Sequence, residues 1–223
     1  MSEIRPPLIR ESYHFQPLPE DAVSAMRLAS RDDLIPRELA DIIEKDAVLT
    51  GKMLRLCNSA FYGFEREVAS LRDAATMLGI DTVLNLVLTL CSARYYRGGP
   101  QPAAQERLWT SSVLNAQAAY LLAGAHDTVD KNRAYTAGLL QNLGWLFIEP
   151  YSQSIEVRVT AGIDRLQAES DLLGMHHAEI SARVAERWQL PEVLVDAIRN
   201  HHSPEKCEED AVLSSLCHLA GVV

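Results

Sequence analysis

Strand signals are nearly absent from this chain, which leaves little room for a sheet of any kind. Long apolar runs are missing too: the strongest, Val83 to Cys91, is interrupted by Asn85 and Thr89 and falls well short of the ~20 residues a membrane helix needs. The opening Met-Ser-Glu-Ile-Arg-Pro-Pro has no apolar core for export, so a cytoplasmic protein is expected. There is no surplus of basic charge. With 21 Lys and Arg against 30 Asp and Glu, a net charge of −9 and a pI near 5.2, general attraction to nucleic acid or anionic lipid is disfavoured. The four cysteines, Cys57, Cys91, Cys207 and Cys217, form no Cys-x-x-Cys pair, which removes zinc ribbons and redox motifs. Cys207 and Cys217 lie near His201, His202 and His218, but that spacing fits no common zinc pattern and packed, reduced thiols are expected. No Gly-rich phosphate loop, Gly-x-Ser-x-Gly elbow or His-Glu-x-x-His helix occurs, which removes the commonest enzyme classes.

What is present is a chain of 223 residues, 48% hydrophobic and 23% charged, able to bury a core without disulfides or metal. Apolar residues recur at three- and four-residue steps, so the fold class is all-α. Residues 1–18 read as an N-terminal arm. Helix starts follow at Pro19, Pro36, Ser70 and Asp81, each before acidic or apolar-periodic residues. Gly98-Gly99-Pro100-Gln101-Pro102 is the strongest breaker and divides an N-terminal helical bundle, 19–97, from a second helical half, 103–223. Within that second half, helices are expected at about 104–125, 131–148, 154–173, 177–188, 191–201 and 209–221.

Several segments could carry chemistry. The helix opened by Asp46 ends at Asn58-Ser59 before an aromatic turn closed by Gly63. Asn58 there suits a helix terminator that adopts the left-handed conformation or bonds nearby backbone, in preference to a ligand contact. Histidines pair at His176-His177, opening one helix, and at His201-His202, closing another. The pairs could meet around a metal, but neighbouring side chains diverge by ~100° on a helix, so usually only one of each pair can face a shared site. The helix macrodipole offers a structural reason for His201 and His202. Trp188-Gln189-Leu190-Pro191 is a helix stop and restart, with Trp188, Trp145 and Trp109 as packing residues.

These segments together resemble the HDOD family, a divergent branch of the HD phosphohydrolase superfamily found in bacterial signalling proteins. The resemblance spans roughly residues 15–221. It rests on Asp46 to Gly63, on Leu78-Gly79, on Gly138-Leu139-Leu140 with Gly144, and on His177-Ala178-Glu179-Ile180 with Trp188 to Pro191 and His201-His202. It implies an N-terminal helical bundle packed on an HD-like helical core, acting in signal transduction. The superfamily's metal ligands, one His, then His-Asp, then a distant Asp, align with Ser111, Gln141-Asn142 and Gly221, and the Lys that often follows the motif Gly is Trp145.

Without those ligands, metal-bound water has nothing to hold it. The leading expectation is a non-catalytic regulatory module, with no cofactor and no catalytic residues, that acts through signalling proteins in trans. Its degenerate pocket of Ser111, Gln141, Asn142, His176, His177, His201 and His202 is a candidate for a small ligand, and a homo-oligomer stays open. The chain has no room for a receiver or cyclic-nucleotide domain, hence the partners in trans. Two alternatives remain. One is a metal-dependent phosphohydrolase with a rebuilt site from His176, His177, His201 and Asn142, although His177 and His202 alone are weak metal candidates. The other is a purely structural helical scaffold.

Overall fold

The computed structural model describes residues 36–59, 68–93, 102–126 and 128–222, together with Val23, Ser24, Tyr62, Phe64 and Tyr96. The expected arm 1–18, the start at Pro19, Gly63 and most of the 98–102 breaker lie outside these residues. Among the described residues every regular element is helical. Among the described residues the first half holds α1 (Pro36–Ile43), α2 (Ala47–Cys57), α3 (Leu71–Leu78) and α4 (Ile80–Ala93).

Capping chemistry explains their boundaries. Pro36 opens α1, where its missing N–H costs nothing. Asp46 caps α2 by accepting from the N–H groups of Val48 and Leu49 at 2.8 and 2.9 Å, and Ser70 caps α3 by accepting from Asp73 N at 3.0 Å. Gly79 joins α3 to α4 at φ +84°, a conformation open to glycine at no steric cost. Helix α4 therefore begins at Ile80 rather than after Asp81, and Asp81 has another task. Its carboxylate accepts from Asn132 Nδ2 at 3.0 Å and ties the first half to the second.

Asn58 ends α2 at φ −84°, outside the left-handed region, and works through its side chain instead. Its Oδ1 accepts from Val68 N at 2.7 Å while its Nδ2 donates to Val68 O at 2.9 Å and to Leu54 O at 2.9 Å. One amide thus staples the chain ten residues downstream back onto α2. Asn58→Ala is expected to cost about 1–2 kcal/mol, read as a lower urea midpoint with unchanged slope, since two partly shielded backbone groups lose their partner.

The second half runs α5 (Pro102–Ala123), α6 (Lys131–Leu140), α7 (Trp145–Ile148), α8 (Ser152–Thr160), α9 (Arg165–Leu173), α10 (His177–Arg187), α11 (Glu192–Asn200) and α12 (Ala211–Val222). Helix α6 is its centre, with Ala134 through Leu140 all buried, as befits a helix packed on all sides. Facing it, α5 buries a stripe of small residues, Ser112, Ala116, Ala119 and Ala123. Gly138 is what lets α5 and α6 approach: a Cβ there would stand 2.8 Å from Asn115 O and 3.0 Å from Ala119 Cβ.

Two expected helices are each broken in two. The one anticipated over 131–148 stops at Leu140, and Gln141 to Gly144 turn through short i→i+3 bonds, Leu143 N to Leu140 O at 3.0 Å and Trp145 N to Asn142 O at 3.1 Å. The one over 154–173 breaks at Gly162, φ +88°, and restarts where Asp164 caps α9. One apolar core extends from Leu39 to Ala220 through both halves, and a smaller one of Ile148, Ile155, Ala168, Leu173 and Ile180 lies beneath α7 to α10. All four cysteines are buried and unbridged. No described helix is long and apolar enough to cross a membrane.

Candidate functional site

Two neighbouring constellations occupy the second half, and they differ in chemistry. The first gathers the positions aligned with the metal ligands of the HD superfamily. Ser111 is exposed on α5, Gln141 is fully buried after α6, Asn142 follows it, and Gly221 lies on α12. They converge on a residue the sequence did not single out, Asn115, one turn beyond Ser111. In the amide orientation its surroundings require, Asn115 donates to Ala220 O at 3.1 Å and Ser111 O at 3.2 Å. Its oxygen accepts from Asn142 Nδ2 at 3.0 Å and Gln141 Nε2 at 3.2 Å.

A neutral knot of three amides therefore sits at the positions that the family resemblance aligns with the imidazole and carboxylate ligands. A divalent ion needs negative or strongly basic donors; here the Asn115 oxygen is already engaged by two N–H groups, and the buried Gln141 Oε1, which has no hydrogen-bond partner among the described residues, offers only a neutral carbonyl. Gly221 adds to the tightness, because a Cβ on it would meet Gln141 Nε2 at 3.2 Å. The chemistry of these residues does not fit the HD metal centre. Beside the knot, Glu106, Arg107, Thr110 and Ser111 line a groove of about 560 Å³, room for a small polar molecule.

The second constellation is built from histidine. His176 serves as N-cap of α10 with its ring 3.4 Å from Glu179 N, whereas His177 points inward and is 3% exposed. Both the peptide N–H and Nδ1 of His177 lie 2.8 Å from one oxygen, Oε2 of Glu169 on α9. Glu169 is fully buried, and its other oxygen has no hydrogen-bond partner among the described residues. With Nδ1 engaged as donor, His177 presents Nε2 to His202 Nε2, 2.9 Å away.

His201 and His202 both reach this point, against the expectation that only one of an adjacent pair could. Helix α11 ends at Asn200, and the turn over His201–His202 removes the helical divergence, bringing the two rings to 4.0 Å between centroids. His201 Nδ1 contacts Ile198 O at 2.7 Å, which fixes the proton on Nδ1 and leaves Nε2 as an acceptor. His218 on α12 closes the arrangement from below, its Nδ1 2.8 Å from His201 O. Trp145, at the position after the motif glycine, stacks on His177 with centroids 5.2 Å apart.

Burial, then the neighbouring imidazole of His177, pushes His202 down to about 4. Burial and the rings of His202 and His177 hold His201 well below its ordinary value. Both are neutral at pH 7. Of the rebuilt set, His177 and His201 come together, but His176 and Asn142 do not join them, because His176 caps its helix and Asn142 turns to Asn115. Nor do the cysteines join: Cys207 donates its S–H to Asp196 at 3.2 Å, and Cys217 is buried in the core.

Gly144 holds the two constellations together. Its N–H donates to Ser181 Oγ at 2.8 Å, and Ser181 Oγ donates to His177 O at 2.9 Å. A Cβ on Gly144 would stand 2.1 Å from His177 O, so only glycine allows this backbone contact.

An all-helical module with an HD-like helical core defines the class. The model of the HDOD domain matches residues 15–204, and the chain belongs to the HDOD family. A solved HDOD domain protein of unknown function from Geobacter sulfurreducens is 29% identical, with a TM-score of 0.79 over 92% of this chain and 71% of its own. A protein from Shewanella amazonensis SB2B provisionally named a phosphohydrolase is 27% identical (TM-score 0.75, 92% of this chain, 75% of its own). One from Marinobacter aquaeolei VT8 provisionally named a signal transduction protein is 28% identical (TM-score 0.76, 92% of this chain, 48% of its own). An uncharacterized protein of Treponema pallidum (strain Nichols) is 27% identical over 212 residues, 92% of this chain, and the chain spans 41% of that relative's length.

Proposed function

We propose that this chain is a non-catalytic regulatory module of bacterial signal transduction that works through protein partners. One observation supports the reading: Gln141 and Asn142, which the resemblance aligns with the His-Asp metal pair, are neutral amides bonded to Asn115. A hydrolase of this superfamily needs metal-activated water, and the amides supply neither negative charge nor a basic nitrogen to hold the metal. The groove beside Ser111 is then a place where a small ligand could bias partner binding.

Chelator-stripped protein, reloaded separately with Mn²⁺, Fe²⁺ and Zn²⁺, is expected to hydrolyse neither nucleotides nor phosphodiesters above the rate of buffer with the same ion. Turnover that disappears in Asn142→Ala would instead establish the rebuilt hydrolase. Partner action is checked by crosslinking in the native cell: a signalling protein recovered with the wild type is expected, and recovery of copies of this chain alone would point to the structural scaffold.

A further inference from the structure

We infer that His177, His201 and His202 form a site for one divalent transition-metal ion of the zinc class, with three imidazole nitrogens as protein ligands and a solvent molecule completing the shell. The site is separate from the amide knot and uses none of its residues.

Geometry carries this inference. One nitrogen from each ring lies within 4.8 Å of the others, and the His177–His202 pair is at 2.9 Å. Nitrogens that each stand ~2.0–2.1 Å from a tetrahedral ion are about 3.4 Å apart, so small ring rotations bring all three to one ion. Two of the three nitrogens are already selected. His201 Nδ1 is committed to Ile198 O and His177 Nδ1 to Glu169 Oε2, which leaves both Nε2 lone pairs for a metal.

The Glu169–His177 contact has the form of the carboxylate–histidine pair that orients metal-bound imidazoles and raises their basicity. A fully buried glutamate on an otherwise apolar face is costly to keep unless it serves such a partner. Without metal, the short His177–His202 contact is bridged by the proton on His202 Nε2. Binding moves that proton to His202 Nδ1 and the ion replaces it; no net proton need be released. Burial of His177 and His201 with exposure of His202 leaves one side open for the fourth ligand.

Zinc supports this inference better than magnesium or calcium, because imidazole is the donor type of zinc, copper, iron and nickel sites, whereas the hard cations call for oxygen. Metal held here without turnover is compatible with the regulatory reading, so the two stand or fall separately.

The test uses the full chain, stripped with chelator and titrated with Zn²⁺ against a chromophoric competitor, and with Co²⁺ to read its visible bands. One equivalent per chain is expected, with the spectrum of a four-coordinate nitrogen site. His202 is exposed, so His202→Ala should fold and should lose more than the roughly 10–100-fold in affinity typical of an outer-shell change. Glu169→Gln is expected within that 10–100-fold range. Zn²⁺ should raise the melting temperature of the wild type and not of His202→Ala. Less than one equivalent bound, or His202→Ala binding as tightly as the wild type, overturns the site.

Discussion

Gly144→Ala is expected to destabilise the protein by about 3 kcal/mol or more, towards the severe end of overpacking substitutions. The added methyl group would lie 2.1 Å from His177 O and 2.9 Å from His177 C. Both obstacles are backbone, so no side-chain rotation relieves the clash. Either α10 must retreat from the turn over Gln141–Gly144 or the turn must unwind. Retreat would break the Gly144–Ser181 bond and draw His177 away from Glu169 and His202. Chemical denaturation should show a much lower midpoint, and any metal binding should weaken with it. An alanine variant with the wild-type midpoint would show that the two backbones do not approach as described.

The second large effect is expected at Asp196, on α11. Its Oδ2 accepts from Glu208 N at 2.7 Å, Glu209 N at 2.9 Å and Cys207 Sγ at 3.2 Å, while Oδ1 accepts from Asn200 Nδ2 at 2.6 Å. This carboxylate gathers the loop between His202 and α12, and so sets where His218 meets His201. Asp196→Ala leaves several donors without an acceptor and is expected to cost about 2–4 kcal/mol, with Asp196→Asn losing less.

The pH dependence of that loss has a defined sign. Burial alone would raise the Asp196 carboxyl, but the bonds from Glu209, Cys207, Glu208 and Asn200 outweigh it and hold the group below its ordinary value of 3.8. Stability from this depression is complete above the ordinary value and disappears as pH falls through the folded-state value. Urea midpoints of wild type and Asp196→Asn should therefore converge in strong acid and stand apart at neutral pH. Parallel curves across that range would assign the effect to packing.

Much of this architecture was legible in the chain. Asp46 and Ser70 are capping residues whose chemistry is local, and the Trp188-Gln189-Leu190-Pro191 stop needs only neighbouring residues to explain it. Other features depend on partners distant in sequence. Leu139, Leu140 and Leu143 continue a helical period straight through Gln141–Gly144, and nothing local announces that His177 O will press against Gly144. Glu169 looked like one more acidic residue in a polar helix; its place between Ala168 and Leu172-Leu173 was the available sign that it faces inward. Asn115 could have been found by its spacing, one turn after Ser111 on the buried side of α5. The meeting of His201 and His202 depends on the turn that follows α11 and on His177 from another helix, neither of which is written in the local sequence.

The Asn115 knot also couples its residues to one another, so that none of them changes alone without cost. Restoring an acid by Asn142→Asp would set a carboxylate against the Asn115 oxygen, and Asn115 could turn away only by abandoning Ala220 O and Ser111 O. Any larger side chain at Gly221 would press on Gln141. Each single step back towards a metal-binding HD site thus meets a local penalty before an ion could compensate for it, and a return would require several substitutions together.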